Sequence, residues 1–327
     1  MKVPGIMRGL FVFLLPLLTF TVTTTVSAQT TPGMVGHMRE VSIPYGCCPT
    51  RITRGPDNNF YFSEPRLNQI GRLTLRGSFS KYPIPPDNGG YPGGITTGPD
   101  GNLWFTEVYG NNIDKMTLNG QITQYPLPQF DSQPLDITTG PGGNLWFTEN
   151  GGIGKITTSG TITEYPLPNP GSAPIDITTG PDGNLWFTEL SANKIARMTP
   201  GGKFTEYAIP TYDSEPDGIT VGPDGNLWFT EIFGDTIGKI TTSGQITEYP
   251  IPTSGSYPLG IKSGPDGALW FVEFKANQIG RISIDGTFTE YPTPTAGSAP
   301  DDIAQGSGKR LWFTEAGANK IGKIVTR

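Results

Sequence analysis

Short stretches of alternating apolar and polar residues run along the chain, and clusters of Gly, Pro, Asp and Asn interrupt them. One unit shows the scheme. Residues 175–179 (Ile-Asp-Ile-Thr-Thr) alternate as a half-buried strand does. Gly180-Pro181-Asp182-Gly183 follows as a turn, because Asp-Gly accepts the positive φ of a tight hairpin. Residues 184–188 form a second, aromatic-rich strand. Residues 194–199 form a third, closed by Pro200-Gly201-Gly202, and residues 204–209 a fourth. The pattern predicts a four-stranded meander.

The anchor of this unit, Gly-Pro-Asp-Gly-Asn-Leu-Trp-Phe-Thr-Glu, recurs with its first glycine at Gly55, Gly98, Gly140, Gly180, Gly222, Gly264 and Gly306. A period of about 42 residues made of short strands predicts an all-β, seven-bladed propeller with four antiparallel strands per blade. Trp104, Trp146, Trp186, Trp228, Trp270, Trp312 and, in the first unit, Tyr61 share one repeat position. A position filled in every unit marks packing between blades rather than a cofactor stack. Prolines at the ends of fourth strands, as in Tyr165-Pro166-Leu167-Pro168, suit an outer edge, where a missing N–H is harmless and foreign pairing is blocked. The last unit ends at a third strand, residues 320–325, while Met38-Arg39-Glu40-Val41-Ser42-Ile43-Pro44 resembles a fourth. The N-terminal strand is therefore expected to close the last blade. Third strands carry a cation at Arg72, Lys115, Lys155, Arg197, Lys239, Arg281 and Lys323, and Glu164, Glu206, Glu248 and Glu290 lie nine residues after the middle four. That spacing predicts hairpin charge pairs contributing about 0.2–1 kcal/mol each, with Glu40 as the partner of Lys323.

Composition narrows the class. Gly and Pro make up about 24% of the chain, near the level that marks disorder. Aromatics at 11% are more than a disordered chain carries, so these residues punctuate strands. They also disfavour the long helices of bundles and make a doubly wound α/β fold a poor reading. The net charge is −6, without a basic block, which argues against nucleic acid or an anionic membrane as partner. Lys2 and Arg8, an apolar run over 10–20 and Val26-Ser27-Ala28 predict a signal peptide at 1–28. The run is short for a span, and Pro16 interrupts it. A flexible stretch 29–37 and one propeller domain 38–327 would follow, giving a secreted or periplasmic monomer with no membrane span. The two cysteines, Cys47 and Cys48, are adjacent, so no disulfide framework exists. A bond between them would close a strained ring, which an oxidising compartment permits, and two free thiols in a loop are the alternative.

One face of such a ring gathers the loops entering first strands and leaving second strands. The entering loops carry Cys48, Tyr91, Gln133, Ala173, Glu215, Tyr257 and Ala299 at one position. Two residues later come Thr50, Gly93, Leu135, Ile175, Asp217, Leu259 and Asp301. Second strands end on Glu64, Glu107, Glu149, Glu189, Glu231, Glu273 and Glu315. Seven glutamates suggest a cation ring, but their repetition favours caps that accept backbone N–H groups. Blade-specific residues say more. Glu215, Asp217 and Glu231 make the densest acidic cluster and the candidate catalytic set, and Asp301 with Asp302 makes another. An all-oxygen set suits Mg²⁺ or Ca²⁺, with Glu231 and Glu215 as the candidate metal ligands. Tyr91, Tyr109, Phe233, Tyr257 and Phe274, with Asp301, are the candidate ligand-binding residues at the mouth.

The anchor, together with the Asn-Lys-Ile-Gly-Lys-Ile and Ile-Thr-Glu-Tyr-Pro-Leu-Pro segments, resembles the virginiamycin B lyase (streptogramin lyase) family over residues 38–327. The resemblance implies a seven-bladed propeller. Active members linearise streptogramin B antibiotics by elimination across an ester, with Mg²⁺ and histidine. Their active blade reads Glu-Pro-His, with a Glu fourteen residues after the His, and a second His enters the preceding blade. Here the match is Glu215-Pro216-Asp217 with Glu231, and Ile175 takes the second position. The one histidine, His37, precedes the closing strand. Elimination needs a base for the proton beside the carbonyl and an acid for the leaving oxygen, both supplied by histidine near neutral pH. Asp217 can serve as a base only if burial raises its pKa, and Ile175 cannot serve.

Three functions compete. One is a propeller that binds a small molecule or extracellular ligand at its mouth. The second is a Mg²⁺-dependent lyase or lactonase-like enzyme using Glu215, Asp217 and Glu231. The third is a cell-envelope interaction module.

Overall fold

The computed structural model describes residues 34–44, 46–85 and 90–327. The signal peptide expected at 1–28 and residues 29–33 of the flexible stretch lie outside the described residues. The described chain forms seven four-stranded antiparallel sheets, each a meander. Blade 5 comprises Pro216–Val221, Leu227–Glu231, Thr236–Ile240 and Ile246–Pro250. First strands of neighbouring blades touch around the ring, and that of blade 1 touches that of blade 7. In blade 7 the strand Met38–Ser42 pairs antiparallel with Lys320–Val325, so the N-terminal strand closes the ring. The pairing continues outward: Gly36 N donates to Val325 O at 2.8 Å and Val325 N to His37 O at 3.0 Å.

The anchor residues each have a structural task. In blade 5 the turn residue Asp224 accepts from the Trp228 indole at 3.0 Å and from Asn226 N at 3.2 Å and Nδ2 at 2.8 Å. A fully buried indole N–H thus finds its acceptor in the turn that precedes it. In blade 1 the Tyr61 hydroxyl replaces the indole and donates to Asp57 at 3.0 Å. Where Gly142 replaces the aspartate, Trp146 turns to the Pro141 carbonyl at 3.4 Å. The threonine after the aromatics stitches blades together: Thr188 Oγ1 donates to Asp217 O at 2.7 Å and Thr230 Oγ1 to Leu259 O at 2.8 Å. The third-strand glycine yields space to the phenylalanine. A Cβ on Gly238 would lie 2.1 Å from Phe229 Cζ.

The charge pairs differ from expectation. Lys155 stands opposite Thr163 while Glu164 stands opposite Gly154, so a nine-residue spacing puts cation and acid on opposite faces of the sheet. The cation instead lies over its blade's aromatic: Lys239 Nζ is 5.1 Å from the Trp228 ring centroid and Lys323 Nζ 5.0 Å from that of Trp312. Arg72 and Arg281 also reach the turn aspartates Asp57 at 2.9 Å and Asp266 at 2.8 Å. Glu40 pairs with Lys320 at 2.6 Å rather than with Lys323, because position 320 shares its face.

Candidate functional site

Each blade enters the ring through the same backbone device. The residue before the entering proline is left-handed, with φ of 55° at Cys48, 78° at Tyr91, 50° at Glu215 and 54° at Tyr257. A proline follows, and in blades 2, 4, 5, 6 and 7 it begins the first strand. In blade 5 the pairing then shifts by one residue between Pro216 and Ile219, a bulge repeated in blades 2, 4, 6 and 7. A bulge interrupts the alternation of faces, so the two residues inside it need not point to opposite sides.

These loops surround a cavity of 410 Å³. Its walls are aliphatic, with Leu135, Ile175, Leu190, Ile232 and Leu259, and aromatic, with Tyr91, Phe233, Tyr257 and Phe274. Phe233 meets Tyr257 edge to face at 5.3 Å. The polar groups are Cys48, Thr50, Arg51, Arg66, Glu215, Asp217 and Asp301. Seven of the residues singled out in the sequence therefore come together: Glu215, Asp217, Tyr91, Phe233, Tyr257, Phe274 and Asp301. Tyr109 stands just outside the lining and packs on Tyr91 at 5.1 Å. Glu231 is not brought to the cavity. It is fully buried within blade 5, beside the Ser214 hydroxyl and the Glu248 carboxylate, and burial with Glu248 pushes it up to about 8. Glu149, Glu273 and Glu315 sit the same way in their blades, each pushed up to about 8 by burial and by Glu164, Glu290 and Glu40 respectively.

The sequence reading missed the floor. Arg51 of blade 1 brings a guanidinium nitrogen within 4.0 Å of Asp217 Oδ1 of blade 5, and the two blades are not neighbours. Burial alone would lower the Arg51 pKa, but Asp217, Asp302, Asp136 and Asp301 around it raise it. Lys262 is raised in the same way by Asp176, Asp302 and Asp136, against burial. Burial raises Asp217 to about 6 although Arg51 pulls it down. Asp301 reaches about 7, with Asp302 and Asp217 adding to burial and Arg51 opposing it. Asp136 rises well above the carboxylate range through burial and through Asp176 beside it. Three of these acids also bind the frame of another blade. Asp136 accepts from Ile177 N at 3.3 Å, Asp176 from Ile219 N at 2.9 Å and Asp302 from Ile52 N at 2.9 Å. The available signal was the position after Asp217, filled across the blades by Arg51, Gly94, Asp136, Asp176, Gly218, Gly260 and Asp302, too polar for a buried alternating strand.

This set does not fit a resident Mg²⁺ or Ca²⁺. Hard divalent cations take six or more oxygens around a central ion. Here Arg51 already stands among Asp217, Asp301, Asp302 and Asp136, and Glu231 is elsewhere. Among the described residues no group of three or more His, Cys, Asp and Glu side chains could hold a metal ion. The arrangement can still accept and donate protons, because burial brings Asp217 to about 6 and Asp301 to about 7. His37 takes no part, since its backbone pairs with Val325 beside the outermost strand of blade 7.

The sequence profile of the virginiamycin B lyase family matches residues 20–152 and 149–327. A streptogramin B lyase structure is 41% identical, with 89% of this chain and 98% of that one covered and a TM-score of 0.85. A catalytically inactive virginiamycin B lyase variant from Staphylococcus aureus, solved with quinupristin, is 41% identical over 88% of this chain and 99% of its own, at a TM-score of 0.85. Hydrazine synthase from Kuenenia stuttgartiensis, 15% identical over 86% and 97% of the two chains at a TM-score of 0.71, shares the fold alone. No curated protein matches the sequence. Among the described residues no helix is long and apolar enough to cross a membrane.

Proposed function

The chain belongs to the virginiamycin B lyase family, and we propose that it is an exported member that binds a largely apolar small molecule in the central cavity without opening it by elimination. One observation carries this reading. No histidine lines the cavity, and the one histidine of the chain, His37, has its backbone paired with Val325 at the closing edge of blade 7. The wall keeps the apolar area and aromatic rings that hold a ligand body. The floor offers Arg51 as donor and Asp217 and Asp301 as acceptors, but no imidazole. Export rests on the charged and apolar character of residues 1–28.

A second reading has its own observation. Asp217 at about 6 and Asp301 at about 7 titrate where a general base and acid are useful, so ring opening by carboxyl groups is chemically conceivable. One experiment separates the two. Pure protein is titrated with quinupristin by calorimetry, and the mixture is followed by mass spectrometry. Saturable binding with an intact ring is the expected result. A linear product that disappears with Asp217→Asn would replace the binding reading by the enzymatic one.

A further inference from the structure

The rim of the cavity holds a feature that the lyase comparison does not use. Cys47 and Cys48 are both free and partly buried, and their side chains are hydrogen-bonded to each other. Cys48 lines the cavity and takes the left-handed conformation shared by all the entering loops. Its neighbour is fixed from behind, because Cys47 N donates to Glu64 Oε1 at 3.1 Å. From this juxtaposition we infer that Cys47 and Cys48 form a dithiol site for a monosubstituted trivalent arsenical, with the organic substituent lodged in the apolar cavity.

The ligand class follows from counting donors and from geometry. Soft thiol sulfur selects thiophilic centres over Mg²⁺ or Ca²⁺. Zinc in a structural site needs four protein ligands, and the chain has two cysteines and one distant histidine. Inorganic arsenite binds most firmly through three sulfurs, and no third exists. An organoarsenic(III) centre already carries one carbon substituent and needs two sulfurs. A direct disulfide is a poor competitor, since adjacent Cα atoms stand about 3.8 Å apart and a disulfide usually requires at least about 4.4 Å. Inserting one large atom between the sulfurs widens the ring that must close. Burial and Cys47 push the Cys48 thiol up to about 11, so this thiol stays protonated near pH 7. Condensation suits neutral thiols. Two As–S bonds form and two As–O bonds break in the hydrated arsenical, each thiol proton leaves with a hydroxide as water, and arsenic stays trivalent throughout. Tyr91, on the next blade of the same rim, offers an aromatic face to the substituent.

The test uses the folded chain, hydrated phenylarsine oxide and an excess of glutathione, read by intact mass. One phenylarsenic unit per chain is expected to persist against glutathione and to leave on addition of a small dithiol. Cys47→Ser and Cys48→Ser should each abolish the persistent adduct, and arsenite should be displaced more readily than the phenyl compound. Circular dichroism of each variant checks that the propeller is intact. No persistent adduct on the wild-type chain, or one that survives Cys47→Ser, overturns the site. Equal retention of phenylarsenic and arsenite, or no gain in retention over the urea-unfolded chain, overturns the role of the cavity.

Discussion

Two regions of this molecule bury carboxyl groups with raised pKa values, and they differ in symmetry. In the blades, Glu149, Glu231, Glu273 and Glu315 occupy one repeat position beside Glu164, Glu248, Glu290 and Glu40. On the cavity floor, Asp136 and Asp217 come from blades 3 and 5 and Asp301 and Asp302 from blade 7, and they gather around Arg51 and Lys262. The perturbation is as large in the blades as on the floor. A shifted pKa therefore does not locate the site. Broken symmetry does, because packing demands repeat in every blade while a ligand faces each blade only once. The blades themselves vary by small changes. In blade 1 Glu64 accepts from Gln69 at 2.6 Å, and in blade 2 Glu107 accepts from Asn112 at 2.9 Å and Gln124 at 3.2 Å. At the position of the second carboxyl blade 2 has Gln124 and blade 1 has Lys81, so a donor or a cation stands where the other blades have an acid.

The contrast can be broken at its frame first. Trp228→Ala removes a fully buried indole from between two blades and should cost about 3–5 kcal/mol, measured by urea unfolding. A loss under 1 kcal/mol would mean that the repeated position is not what holds the ring.

Arg51→Met tests the floor. Breaking a fully buried ion pair costs about 3–5 kcal/mol, and the 22% exposure of the Arg51 side chain reduces this to about 1–3 kcal/mol. The penalty should be larger at pH 8 than at pH 5. At pH 5, below the values of Asp217 and Asp301, the acids are mostly protonated and need the cation less. Equal penalties at both pH values would show that Arg51 acts by packing alone.

The blade glutamates make a pH prediction of definite sign. A carboxyl raised from about 4.3 in the unfolded chain to about 8 in the fold contributes its full stability below pH 4. That contribution is lost as pH rises through 8, because the fold then holds a proton that the unfolded chain has already released. The melting temperature should accordingly fall between pH 5 and pH 9. Glu273→Gln removes the proton requirement while keeping the shape, and should raise the melting temperature at pH 9 by about 2–3 °C and leave it nearly unchanged at pH 5. A flat pH profile in the wild-type chain would contradict the shared burial of these pairs.

The smallest effect is expected in blade 2. Glu107→Gln should cost about 0.5–1.5 kcal/mol, since it weakens the bonds from Asn112 and Gln124. A gain at pH 9 like that of Glu273→Gln would erase the distinction between the two kinds of blade.

Most of the frame was legible because period and turn chemistry are local properties of sequence. The anchor gave the blade count, and the match of 38–44 to a fourth strand gave the closure. Two errors share one origin in parity. The Lys323–Glu40 pairing failed because Glu40 stands opposite Gly322, one position from Lys323, so the two side chains leave opposite faces of the sheet. Arg51, Asp136 and Asp176 were missed because strict alternation assigns them away from the axis; in blade 4 the bulge after Pro174 undoes that assignment, and in blades 1 and 3 the regular ladder begins only at Ile52 and Ile137. Glu231 was misplaced for a related reason: it ends a strand near the mouth, but its side chain follows Phe229 and Leu227 into the blade. Tyr91, Phe233, Tyr257 and Phe274 were readable because they interrupt a sevenfold pattern with bulky residues.

The closing strand has a temporal consequence. Glu40 and Lys320, which meet in blade 7, stand 280 positions apart in the chain. During synthesis six blades can form behind the ribosome while the first strand waits without its neighbour. The ring is thus finished by its beginning, and until the last residues emerge the earliest ones remain an open edge for any chaperone or stray strand to find.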